Sequence, residues 1–281
     1  MTSEQLAWKI RRHGIEMTNR SKGSHIGSIL SVADIIAVLY NNIAHVNPLN
    51  PSMEERDQII LSKGHAGASI YAALAELGFF EVSELMTHYQ NGSRLSGHIS
   101  HKGVPGIEVS TGSLGHGLSI GAGMAYANKL DNKKNRVFVI LGDGECDEGS
   151  VWEAVLVASH NHLSNLIAII DYNKMQSLDF CENTLALKPF DDKWRSFGWN
   201  VLVVDGHDHD ELTKAFNIAM EEKNKPTVLI ANTIKGKGIP FMEQNILWHY
   251  RYPHDGDEYN DSVKALYNLK PEGISDDYRR D

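Results

Sequence analysis

The chain has 281 residues, 42% of them apolar and 22% charged, with a formal net charge of −9. That is enough apolar material for a large core. With Lys133-Lys134-Asn135-Arg136 as the one dense basic stretch, no nucleic-acid partner and no anionic-membrane partner is expected.

The N-terminal "MTSEQLAWKIRR" lacks the apolar core of a secretion signal, and the longest aliphatic runs, such as "LIAII", fall short of a membrane span. A soluble, cytoplasmic protein is therefore expected. Residues 3–20 carry Leu6, Ile10 and Met17 at helical spacing. "SVADIIAVLYNNI" predicts a second helix, with Ser31 as N-cap and Asp34 three residues on. "DQIILSKGH" reads as a short strand running into a loop, and "GHAGASIYAALAELGFF" as a helix closed by Gly78. Residues 88–117 form a long loop rich in Gly, Ser and His, of the kind that often carries function.

From residue 136 the pattern alternates. Strand "RVFVILGD" leads to helix "SVWEAVLVASHNH", and strand "NLIAIIDY" to an irregular segment ending near Lys193. Strand "NVLVVDG" leads to helix "DHDELTKAFNIAMEEK", and strand "TVLIANTI" to "KGKG". The strands are continuously aliphatic, so both of their faces should be covered. The predicted fold class is α/β, a parallel sheet flanked by helices on both faces. Residues 1–281 are expected to form one domain, with a polar surface extension from about 250.

The stretch "GDGECDEGS" places Asp143, Glu145, Asp147 and Glu148 just past a strand end. Ligands of a parallel sheet bind beyond the carboxyl ends of its strands. Asp143 and Asn173 end neighbouring strands and should point to one place. A carboxylate, an amide oxygen and a backbone carbonyl are hard donors suited to Mg²⁺ or Ca²⁺. Gly142 and Gly144 permit close approach of the backbone, and the amides opening the next helix suit a phosphate. An EF-hand fails, because Glu148 and Ala154 stand where Gly and Glu are needed. Cys146 and Cys181 form neither a disulfide framework nor a metal spacing; Cys146 is read as inert among the acids, and Glu145 and Asp147 as solvated.

Gly-Asp-Gly followed after 28 residues by Asn resembles the thiamine-diphosphate signature. With "GSHIGS", "LSKGHAGASIYAALAELG", "SGHIS", "STGSLGHGLSIGAGMA", "IIDYNKMQ", "VDGHD", "TIKGKG" and "WHY" in that order, residues 5–250 resemble the N-terminal, diphosphate-binding part of transketolase. The resemblance implies a thiamine-diphosphate-binding fold and a metal held by Asp143, Asn173 and the Met175 carbonyl. It implies diphosphate contacts from His65, His249 and the Gly144 amide, with Lys235 near the cofactor. Gly112 and Leu114 would meet the aminopyrimidine end. His25, His98 and His249 would line the sugar channel, working near neutral pH. Glu148 matches an acid at the dimer interface that helps couple two sites.

The reaction implied is transfer of a two-carbon ketol unit from a ketose or ketose phosphate to an aldose. The chain ends before the family's second domain, so the resemblance also implies a partner chain carrying the pyrimidine-binding domain, in a two-plus-two heterotetramer. Departures are His116, where Gln is common, and Tyr250 in "WHYRYP", where Gly is usual. Alternatives are a component of deoxyxylulose-phosphate synthase or of a 2-oxo acid dehydrogenase, a non-catalytic cofactor-binding subunit, or a plain Mg²⁺-dependent phosphate binder. His207 and His209 are read as a turn, with Asp208 or Asp210 capping the helix that follows.

Overall fold

The computed structural model describes residues 1–275. Helices α1 (Ser3–Ser21) and α2 (Ile26–Val38) precede strand β1 (Gln58–Leu61), which leads to α3 (Gly67–Glu76) and α4 (His116–Leu130). Strand β2 (Val137–Gly142) leads to α5 (Gly149–His160), and β3 (Leu166–Tyr172) to α6 (Cys181–Thr184) and α7 (Phe190–Ser196). Strand β4 (Asn200–Asp205) leads to α8 (His209–Glu221), and β5 (Thr227–Asn232) to α9 (Asp257–Asn268).

The five strands form one parallel sheet in the order β1-β2-β3-β5-β4. Side chains alternate between its faces. Phe138, Ile140, Ile167, Ile169 and Leu229 join a core with α1, α2, α3 and α8. Val137, Val139, Leu166, Ala168 and Val228 join a second core with α4, α5 and α7. Two apolar faces explain the unbroken aliphatic strands, as expected of a covered parallel sheet. Asp208 caps α8, its side chain accepting from the amides of Asp210 and Glu211.

Helix α2 starts at Ile26, upstream of the Val32 start that a cap at Ser31 would set. Ser31 is not its cap but lies buried mid-helix, donating to Oδ2 of Asp171 at 2.6 Å. Asp34 faces Arg11 instead of a helix terminus. A fully covered helix has no polar face, so sequence periodicity cannot locate its start. The window Ile26–Ile43 also has the length and a mean hydropathy (1.6) that would suit a membrane span, but 83% of it is buried inside this protein. It is the core helix between the sheet and α1.

Helix α4 begins inside the stretch expected to be loop, at His116. Two of its glycines serve contact: a Cβ at Gly117 would run into Ser62 just past β1, and one at Gly121 into Val139. The segment after residue 250 does more than lie on the surface. Tyr259 and Leu266 of α9 enter the core, the Trp8 indole donates to the Leu266 carbonyl at 2.7 Å, and Asn19 Nδ2 donates to the Pro253 carbonyl at 2.8 Å. Within the residues described, this segment completes the burial of α1.

Candidate active site

Strands β2, β3 and β5 end level with one another: Gly142 pairs with Asp171, and Tyr172 with Asn232. Asp143, Asn173 and the segment Thr233–Lys235 therefore leave the sheet at the same edge. They meet at a cavity of about 350 Å³, whose wall includes Asp143, Gly144, Asn173, Met175 and Lys235.

Asp143 is buried and accepts the amides of Gly144, at 2.8 Å, and Lys174. Burial, then the charge of Asp171, pushes its pKa up to about 6 against those two amides and Lys235. Asn173 donates its Nδ2 to Asp171 Oδ2 at 3.3 Å and accepts the Met175 amide on Oδ1 at 3.2 Å. Lys174 adopts a left-handed conformation (φ 67°), turning the chain between Asn173 and Met175. The Met175 carbonyl accepts from Lys235 Nζ at 3.2 Å. A buried carboxylate, an amide oxygen and a main-chain carbonyl on one cavity wall suit a hard divalent cation. Among the described residues no group of three His, Cys, Asp or Glu offers another metal site.

Four histidines, His25, His65, His98 and His249, line the same cavity. The His25 ring lies 5.0 Å from His65, 5.7 Å from His98 and 5.3 Å from His249, centroid to centroid. His25 is held at the start of α2 in the left-handed region (φ 75°), and its Nδ1 is 2.7 Å from Ser24 Oγ. A non-glycine residue in that conformation needs surrounding structure to hold it. The expectation that the channel histidines titrate near neutrality is corrected for His25 and His249, and His65 is lowered in the same direction. Burial, then the positive charge of Lys63, lowers His65 well below its ordinary pKa. Burial, with His98 and the two lysines Lys235 and Lys63, takes His25 down to about 4; burial and Lys235 take His249 to about 3. All three are neutral imidazoles at pH 7, able both to donate and to accept.

Gly112 and Leu114 join the cavity wall from the segment before α4, and His98 projects beside Gly112. Glu148 does not reach the cavity. It is exposed at the residue before α5, so within this chain it offers no cofactor contact. His116 is likewise exposed and outside the wall, whereas Tyr250 lines it, 4.6 Å from the His249 ring and 5.4 Å from His25.

Sequence reasoning missed two buried supports. Lys63 pairs with Asp171, which also accepts from Ser31 and Thr233. Glu145, expected to be solvated, is 2% exposed; it accepts from Ser62, from the Gly115 amide at 2.9 Å and from the Gly142 amide at 3.1 Å. Burial raises its pKa and those three donors oppose the rise. It ties the ends of β1 and β2 to the start of α4. The lysine in "LSKGH", just past a strand end, is the signal that points to Lys63. Cys146 and Cys181 are buried free thiols. Burial pushes Cys146 well above the ordinary thiol value and Cys181 up to about 12, in keeping with inert side chains.

Residues 2–271 match the family model described as transketolase, thiamine diphosphate binding domain. The chain is 42% identical over 240 residues to a 6-deoxy-6-sulfo-D-fructose transketolase subunit from a Clostridium species, covering 85% of this chain and 87% of that one. It is 38% identical over 265 residues to one of the subunits of apulose-4-phosphate transketolase from Phocaeicola vulgatus, covering 94% of each. Among solved structures it is similar to transketolase of Leishmania mexicana, with a TM-score of 0.88 and 28% identity over 99% of this chain. It spans 43% of that solved chain. Transketolase of Campylobacter jejuni gives a TM-score of 0.87 and 28% identity, with 95% of this chain and 42% of that one covered. The chain therefore belongs to the transketolase family and corresponds to its N-terminal, thiamine-diphosphate-binding part.

Proposed function

We propose that this chain is the diphosphate-side subunit of a two-chain transketolase, which moves a two-carbon ketol unit from a ketose or ketose phosphate to an aldose. The observation that carries the reading is the cavity itself, lined at once by the hard oxygen donors Asp143, Asn173 and Met175 and by four histidines. Asp143, Asn173 and the Met175 carbonyl would hold Mg²⁺ or Ca²⁺. His65, His249, Lys235, Lys63 and the Gly144 amide would face the diphosphate, and Gly112 and Leu114 the aminopyrimidine end. Thiamine diphosphate, when bound, supplies the electron sink that carbon–carbon cleavage needs.

This chain's part is placement and proton handling. A neutral imidazole can take a proton from a sugar hydroxyl on one nitrogen while donating from the other. His25 and His98 pack edge to face, so a sugar seated alongside the pair would meet nitrogens of both rings together. Lys235 Nζ lies 2.7 Å from His249 Nδ1, which leaves Nε2 of that ring as the atom carrying its proton. Tyr250 narrows the same wall.

The partner would be a C-terminal transketolase chain bearing the pyrimidine-binding domain, in a two-plus-two assembly with two-fold symmetry. The names of two relatives, each a transketolase subunit covered over most of its length, support a partner chain. Glu148, exposed just before α5, is suited to an interface. The reading is tested by assaying ketol transfer with the chain alone and with its partner. Negligible transfer alone and restoration by the partner is expected; full transfer by the verified single chain would overturn it.

A further inference from the structure

Outside the cavity the molecule holds a buried ionic cluster that the proposed chemistry does not use. Asp34, 4% exposed in the middle of α2, binds the Arg11 guanidinium through both carboxylate oxygens. It also meets His207 Nδ1 at 2.6 Å and His209 Nε2 at 3.1 Å, while His209 Nδ1 lies 2.8 Å from Ser3 Oγ. Burial raises the Asp34 pKa, but the Arg11 charge and the three side-chain hydrogen bonds outweigh it, so the group stays ionised.

The far side of the His207 ring gives the cluster a direction. The backbone N–H of Ile234 donates to His207 Nε2 at 2.8 Å. An amide can only donate, so Nε2 must carry a lone pair. The proton then sits on Nδ1 and goes to Asp34, which fixes a single neutral tautomer. The chain Arg11–Asp34–His207–Ile234 thus runs from α1 through α2 to the loop after β5, and the next residue of that loop is Lys235.

Several hydrogen bonds hold the loop, the Gln244 amide to the Lys235 carbonyl at 2.9 Å among them. Thr233 donates its hydroxyl to Asp171, Ile234 donates its amide to His207, and the Gly236 amide donates to the Gly27 carbonyl at 3.0 Å. Lys235 stands between the last two, 2% exposed, its ammonium shared by the Met175 carbonyl and His249. We propose that His207 is a positioning residue for Lys235, a fixed neutral imidazole that clamps the Ile234 amide and so sets where the ammonium stands in the cavity. This rests on the proposed function, in which Lys235 faces the cofactor's diphosphate. Partners one step removed from a ligand-binding group commonly set its orientation, and their loss costs about 10- to 100-fold in affinity or activity.

Two substitutions separate positioning from packing. His207→Phe keeps the ring volume but offers no acceptor to Ile234; His207→Gln loses the ring but its Oε1 can accept that amide. In the assembled enzyme with Mg²⁺, calorimetry should show His207→Phe weakening thiamine-diphosphate binding at least about tenfold. His207→Gln should restore most of that loss, even where its melting temperature is the lower of the two. Lys235→Met should weaken binding too, and adding His207→Phe to it should cause little further loss, because the imidazole acts through the lysine. Near-normal affinity in His207→Phe, or losses that simply add in the double variant, would overturn the positioning role while leaving Lys235 as a diphosphate contact. Unchanged affinity in Lys235→Met would instead overturn the diphosphate assignment and the proposal with it.

Discussion

The ammonium of Lys63 sits on the carboxylate of Asp171, and neither side chain is more than 1% exposed. The pair lies between the cavity and the core, and Asp171 also orients the amide of Asn173. Removing one partner of a buried pair leaves the other charge uncompensated, typically costing about 3–5 kcal/mol. Asp171→Asn should approach that loss. Lys63→Met should cost less, because Asp171 keeps the donors Ser31, Thr233 and Asn173. Urea melts of both variants check the order, and a double-mutant cycle gives the coupling.

Metal dependence should follow Asp143. Octahedral Mg²⁺ takes few protein ligands, so each one counts. Asp143→Ala is expected to abolish Mg²⁺-dependent thiamine-diphosphate binding in the assembled enzyme while the melting curve of the chain changes little. Calorimetry with and without a chelator makes the measurement, and retained affinity in the variant contradicts the assignment of the site.

His98→Ala should lower ketol transfer by about 10² or more if the imidazole moves protons on the sugar. Cofactor affinity should survive better than in a His249 variant. His249→Ala should lose both, since His249 bonds Lys235. Steady-state rates over several ketose donors, beside cofactor titrations, separate the two residues.

His88 gives a pH signature unrelated to catalysis. Burial takes it down to about 4 in the folded protein, from an ordinary value of 6.5. The unfolded chain therefore binds the proton more readily, so stability is full above about pH 6.5 and falls as pH drops toward 4. Between pH 7 and pH 5 this one group removes about 2 kcal/mol. His88→Phe should show a correspondingly smaller decline over that interval in denaturant melts. The remaining fall includes the share of His25 and His249, which are lowered in the same direction.

Gly64 has no room for a side chain. A Cβ there would lie 2.5 Å from the Thr111 carbonyl oxygen, a main-chain atom beside Gly112. Gly64→Ala should destabilise by about 1–3 kcal/mol and displace the segment at the aminopyrimidine end. A lowered urea midpoint with weakened cofactor binding is the expected pair of results.

The sequence by itself determined the parallel sheet, because aliphatic strands alternating with helices admit few other arrangements. It also determined that Asp143 and Asn173 meet at one place, since both follow strand ends and the strand ends of a parallel sheet share one edge. What only the tertiary structure decided were the polar partners in the interior. Ser31 and Asp171 are 140 residues apart, Lys63 and Asp171 are 108 apart, and Asp34 and His207 are 173 apart. Local pattern carries no trace of such pairs: Ser31 looks like a cap and Glu145 like a solvated acid until a donor from another element arrives. Burial makes an unpaired polar group costly, so each of these side chains has meaning only together with a neighbour that the fold delivers. The start of α2 and the docking of α9 were settled the same way, by which surfaces the sheet and α1 left to be covered.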